Sequence, residues 1–247
     1  MLFFKLASPK NFFQFTGKLI PWLWTICLLT LSYGIVGALL LAPPDYQQGE
    51  AYRIIFLHVP CAILSMGLYA FTAIMSAIYL IWRIKITDVL AKTAAPLGGL
   101  MTFFSLITGS IWGKPMWGTW WIWDARLTSE LILLFLYLGL ISVRSAIPHR
   151  EKAAKVCAVI AVIGIIDLPI IHYSVNWWFT LHQKSTILGL HKPTIAASML
   201  YPLLAMIITF VFYSAAILLS RARLEILERE QQSDWVKKLF GGACGVS

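Results

Sequence analysis

The chain has 247 residues, 59% of them hydrophobic and 13% charged, with a formal net charge of +9 and a mean hydropathy of +0.77. A soluble globular domain carries roughly a quarter of its residues as charges, so this composition excludes one and makes lipid the main solvent. The positive excess does not indicate a nucleic-acid partner, which would need a basic face on a soluble fold; placement of the cations between apolar runs explains it better.

In chain order, Lys5, Lys10 and Lys18 precede an apolar run from Ile20 to Leu41. That run exceeds the core of about 7 to 15 residues in a cleaved signal peptide, so it reads as a retained first helix. Uncharged or nearly uncharged runs cover about 19–42, 54–82, 93–112, 127–143, 156–171 and 193–220. A bilayer needs about 20 apolar residues per spanning helix, and runs of this length lack the alternation of barrel strands. The predicted fold is all-α: a polytopic integral membrane protein, a bundle of six transmembrane helices over 1–220, followed by a tail over 221–247. The tail begins with RARLEILEREQQ and reads as a helical extension that frays toward a glycine-rich end.

Cation placement orients the bundle. The N-terminus, the 83–92 and 144–155 loops and the tail hold fifteen lysines and arginines, against five (Arg53, Lys114, Arg126, Lys184 and Lys192) on the other side. By the positive-inside rule both termini are cytoplasmic. The outer segments are then about 43–53, 113–126 and 172–192. Four cysteines (Cys27, Cys61, Cys157 and Cys244) lack paired spacing and read as packing thiols rather than disulfides or zinc ligands. No Cys-x-x-Cys-His motif is present, so covalent heme attachment to this chain is not expected.

The outer segments hold the unusual chemistry. Trp112, Trp117, Trp120, Trp121 and Trp123 lie in WGKPMWGTWWIWDARLTSE. Tryptophan favours the headgroup level, but an aromatic belt needs only one or two rings per helix end. Gly113, Pro115 and Gly118 are expected to break the helix here and lay the indoles out as a flat shelf. Such a shelf suits a large planar ligand, and equally a sugar or a quinone ring.

Histidines narrow the choice. His58 in FLHVP lies at the outer end of the second span, where an ionisable group is costly unless it faces protein, water or ligand. His182 in TLHQKST approaches from the last outer segment. A porphyrin iron takes one axial donor on each face, and imidazoles serve. His172, at the end of the fifth span, is an alternative or supporting ligand, and His191 reads as a loop residue. Heme propionates call for cations, preferably arginine; Arg53 and Arg126 are the preferred partners, with headgroup anchoring as the competing role. Asp124 caps the helix that starts near Ala125 or pairs with Arg126 or Arg53. Glu130 and Asp167 enter spans, where isolated carboxylates are protonated or paired.

Three stretches, PPDYQQGEAYRIIFLHVP at 43–60, TGSIWGKPMWGTWWIWDARLTSELILLFLYLG at 108–139 and LPIIHYSVNWWFTLHQKST at 168–186, closely resemble the cytochrome c maturation protein C family (CcmC). These are heme-handling membrane proteins of the System I pathway with a tryptophan-rich WWD motif. The WGxxWxWD core is shared by related heme-handling proteins; the short six-span chain and the LHVP and LHQ contexts select this family. The resemblance implies heme b, held transiently and non-covalently at the periplasmic face between His58 and His182, then delivered to the heme chaperone CcmE. It also implies the ABC transporter subunits CcmA and CcmB and the small subunit CcmD as partners. Asp45, Gln48, Arg53, Trp112, Trp117 and Asp124 match positions the family treats as functional. A binding and delivery protein, assisting heme attachment in a lyase-like way, fits better than a stand-alone enzyme. The competing classes are a transmembrane transporter or channel for heme or a small solute, which should show inverted repeats or broken helices, and a quinone-binding or structural subunit.

Overall fold

The computed structural model describes residues 7–182 and 195–241. Lys5, Lys184, His191, Lys192 and Cys244 lie outside the described residues. Among those described, the chain is helical with no strand. Helix α1 spans Pro9–Val36 and runs on into a π-helical turn at Gly37–Leu41. A 3-10 turn at Glu50–Ile54 leads into α2, Ile55–Trp82, followed by α3, Lys85–Trp117. Then come α4 at Ala125–Ala146, α5 at Arg150–Gly164, α6 at Asp167–Trp177, α7 at Ala197–Arg229 and the short α8 at Asp234–Gly241.

Six of these segments are long and apolar enough to cross a membrane, with α5 and α6 together forming the fifth. Several helices overrun their apolar runs. Helix α3 starts at Lys85 and continues to Trp117, because Lys92 and Asp88 are paired with residues of neighbouring helices and so do not end it. The last span continues unbroken to Arg229, well into the expected tail.

Lipid accepts no backbone hydrogen bonds, so the helices satisfy their own, and interior prolines are tolerated where neighbours cover the freed groups. Pro21, Pro60, Pro96 and Pro202 all lie within helices. Helices α2 and α3 pack along their length, as do α1 and α7. The latter contact is close because Gly34 and Gly37 face Met206 and Pro202: a Cβ on either glycine would come within 2.7 Å of those side chains. Such small-residue seams drive helix association where burial from water is not available. Large apolar side chains such as Leu29, Leu40, Phe135 and Ile163 point outward, as expected of a lipid-facing surface. Cys27, Cys61 and Cys157 are buried free thiols.

The tryptophan-rich segment corrects one expectation. Gly113 and Pro115 do not break the helix; α3 runs through both and ends at Gly118. Gly113 instead makes room for the indole of Trp117 four residues on, since a Cβ there would lie 2.9 Å from its ring. Gly118 supplies the left-handed stop, with φ 76°, a conformation that costs glycine little. Its N–H bonds Lys114 O at 3.1 Å.

Candidate functional site

The three outer segments meet at one end of the bundle. Between α1 and α2, the Asp45 carboxylate accepts the backbone N–H groups of Gln47 and Gln48 at 2.9 and 2.8 Å. This turn, closed by Gly49 at φ 55°, presents Gln48, whose Oε1 accepts the indole N–H of Trp112 at 3.0 Å. The first outer segment thereby fixes a ring of the tryptophan-rich one.

Trp112 lies edge-on to His58, ring centres 5.8 Å apart. His58 is buried, and its Nδ1 lies 3.1 Å from Ser105 O and 3.0 Å from Thr108 Oγ1. A backbone carbonyl only accepts, so an Nδ1–H donating to Ser105 fixes the tautomer that keeps the lone pair on Nε2. Metal-ligating histidines commonly hold their second nitrogen this way. Gly109 leaves space for the ring; a Cβ there would lie 3.1 Å from Cε1.

His182 arrives from the third segment. Its ring centre is 6.4 Å from that of His58, with the planes inclined by 39°, and 6.4 Å from Trp117. Its backbone N–H donates to Thr180 Oγ1 at 3.1 Å, and the Thr180 hydroxyl donates to the Asp124 carboxylate. The other Asp124 oxygen accepts Leu127 N–H at 2.8 Å and caps α4, the expected capping role. One carboxylate therefore ties the His182 segment to the start of α4. Two imidazoles on a single iron, each donor nitrogen about 2 Å from the metal and each ring centre about 1 Å beyond it, have centres about 6 Å apart. The observed separation matches that span.

The five indoles do not form one flat shelf. Trp112 and Trp117 stand beside the histidines. Trp121 and Trp123 meet edge-on at 75°, Trp123 is exposed, and Trp120 lies exposed beneath Lys114. The helical path through Gly113 and Pro115 puts the first two rings on α3 and leaves only 118–124 to turn. The Trp121 indole N–H is buried with no acceptor among the described residues, an arrangement that costs free energy unless an acceptor arrives.

The two arginines are already engaged. Arg53 donates to Glu50 and to the carbonyls of Ala38 and Ala42, tying the π-helical end of α1 to the start of α2. A guanidinium has five N–H donors, so Arg53 keeps some for another acceptor. Arg126 donates through Nη1 to Ile171 O at 2.6 Å, bracing α4 against α6. His172 is exposed on α6 and its ring meets Tyr173. Glu130 is buried one turn below Arg126 and accepts a hydrogen bond from Ser65 at 2.7 Å, while Tyr137 donates to Ser65 O at 2.8 Å. Asp167 Oδ2 and Tyr69 OH are buried without partners among the described residues.

Sequence reasoning missed Ser105, Thr108 and Gly109. Their spacing to Trp112, at i, i+3, i+4 and i+7, puts all four on one face of α3, a periodicity readable from the sequence once a helix through Trp112 is granted. Thr180 gave no such signal, because its partner lies in another segment.

Fold and site together define a class: a six-span membrane protein presenting paired imidazoles beside indoles at one end of its bundle. The chain belongs to the CcmC family, heme exporter protein C, whose model matches residues 2–237. It is 47% identical over 233 residues to the heme exporter protein C of Haemophilus influenzae, covering 94% of this chain and 95% of that protein. With the protein of the same name from Escherichia coli strain K12 it shares 47% identity over 236 residues, 96% of this chain and 95% of that one. A putative cytochrome c biosynthesis ccmC-like mitochondrial protein of Marchantia polymorpha is 42% identical over 215 residues, 87% and 90% of the two chains.

Proposed function

We propose that this chain is a heme-handling membrane protein of cytochrome c biogenesis, which holds heme b non-covalently as cargo between His58 and His182 and delivers it to the chaperone CcmE. The observation that carries this reading is the 6.4 Å separation of the two imidazoles beside Trp112 and Trp117. His58 supplies a lone pair from Nε2, held by its Nδ1 bonds on α3. His182 supplies the second donor from a segment anchored through Thr180 and Asp124. Trp112 and Trp117 give apolar, polarizable surface for the porphyrin edge and face. The acceptor-less N–H of Trp121 fits a carboxylate oxygen on the cargo, and Arg126 and Arg53 supply the positive charge that two propionates need. Trp120 and Trp123, both exposed, form the face a chaperone meets.

Under this reading the histidine end is periplasmic, the membrane is the bacterial inner membrane and both termini are cytoplasmic, supported by the fifteen-to-five cation asymmetry. CcmA, CcmB and CcmD are the partners in the membrane. The test is the absorption spectrum of protein purified in detergent from heme-replete cells. Wild type is expected to carry a six-coordinate heme, His58→Ala and His182→Ala to lose that signature, and the double variant to lose the heme. A six-coordinate spectrum surviving in the double variant would sink the ligand assignment; wild type that never co-purifies with heme would sink heme handling itself.

A further inference from the structure

The opposite end of the bundle holds a half-open cavity of about 480 Å³ lined by α2, α3, α4, α5 and α7. Its lining changes along the helices: Ala95 and Pro96 lie about one turn further along α3 than Lys92, Leu140 one turn before Arg144 on α4, and Ala161 further along α5 than Arg150. Small and aliphatic side chains therefore wall its deeper part, while Lys92, Arg144, Arg150 and Arg229 surround the outer part with a single lining carboxylate, Glu225. Arg150 and Pro148, both exposed, mark the mouth.

The cations are held from behind. Buried Asp88 takes Arg144 on one oxygen at 2.6 Å and Arg229 on the other at 2.8 Å. Glu225 takes Lys92 at 2.6 Å and Arg229 at 2.7 Å. Arg150, at the mouth, is paired with exposed Glu228. The inner set is thus three cations on two carboxylates, one positive charge in excess, facing the cavity. An unbalanced charge among spanning helices requires a partner. Sharing Asp88 also sets two guanidiniums side by side, each with N–H donors left over, and a phosphate takes such forks in bidentate fashion.

We propose that this cavity binds an anionic phospholipid, its phosphodiester between Arg144 and Arg229 and the first part of an acyl chain along the Ala95, Leu140 and Ala161 wall. A free phosphate would satisfy the charge but leave the apolar wall uncovered; a lipid satisfies both, and basic pockets between spanning helices are a known setting for acidic headgroups. The site stands apart from the histidines and does not depend on the heme reading.

The experiment is native mass spectrometry of the delipidated full chain in detergent, titrated separately with phosphatidylglycerol, phosphatidylcholine and inorganic phosphate. Phosphatidylglycerol should bind one-to-one and phosphatidylcholine should not compete. Arg144→Gln should weaken binding by roughly tenfold through loss of a forked contact. Because Arg144 also pairs with buried Asp88, Ser145→Glu serves as the second variant: Ser145 is exposed and lines the cavity, so a new carboxylate there repels the headgroup without disturbing the fold. It too should weaken phosphatidylglycerol, with the thermal unfolding curve unchanged. Equal binding of both lipids, full competition by inorganic phosphate, or undiminished binding to Ser145→Glu would each overturn the proposal.

Discussion

The two ends of the bundle organise polar groups by opposite means. At the histidine end, the groups that matter are tied by hydrogen bonds through loops: Asp45 turns the chain that offers Gln48 to Trp112, and Asp124 holds Thr180, which holds His182. At the other end, charges on three long helices pair directly, with Asp88 and Glu225 joining Lys92, Arg144 and Arg229. The first arrangement holds its rings in place through single hydrogen bonds between segments. The second locks α3, α4 and α7 together. Stability and ligand binding should therefore respond separately to changes at the two ends.

The largest expected effect lies in the lock. Asp88→Ala leaves Arg144 without its buried partner and strips one of two from Arg229, and breaking buried pairs costs about 3–5 kcal/mol. Thermal unfolding in detergent should show that loss, while the heme band of whatever remains folded keeps its position. If the band moves instead, the two ends are coupled and the comparison fails. Asp124→Ala should do less to the fold and more to the cargo. The missing helix cap costs about 1–2 kcal/mol, and release of Thr180 should lower heme retention, read as the heme-to-protein ratio after dialysis. Equal retention would mean that the Thr180 bond does not hold His182. The smallest effect is expected for Gln48→Ala, which frees the Trp112 N–H. One lost hydrogen bond is worth about 1 kcal/mol, a few-fold drop in heme retention with no resolvable change in unfolding.

The same contrast governs what could be read from sequence. Apolar runs declared the six spans, and His58, His182, Trp112 and Trp117 announced themselves because ionisable and aromatic residues at span ends are conspicuous. The path of α3 through Gly113 and Pro115 was not legible: glycine looks like a breaker until Trp117 is seen to occupy its missing side chain. His172 read as an alternative or supporting ligand, and the helical register of α6 leaves it exposed. Arg53 read as a propionate partner or headgroup anchor, yet it bonds carbonyls of α1 that no local pattern exposes. At the other end, Arg144 and Arg229 entered the topology argument as bulk charge. Their shared partner Asp88 lies 56 and 141 residues away in the chain, so only the packed helices reveal the pairing.

If His58 and His182 ligate one iron, a free imidazole can stand in for either side chain. His182→Gly removes the imidazole, and free imidazole is then added to the purified variant loaded with heme. The variant should lose the six-coordinate spectrum and imidazole should restore it, with His58→Gly behaving alike. A variant that keeps the wild-type spectrum before imidazole is added, or one that imidazole leaves unchanged, would contradict that ligation.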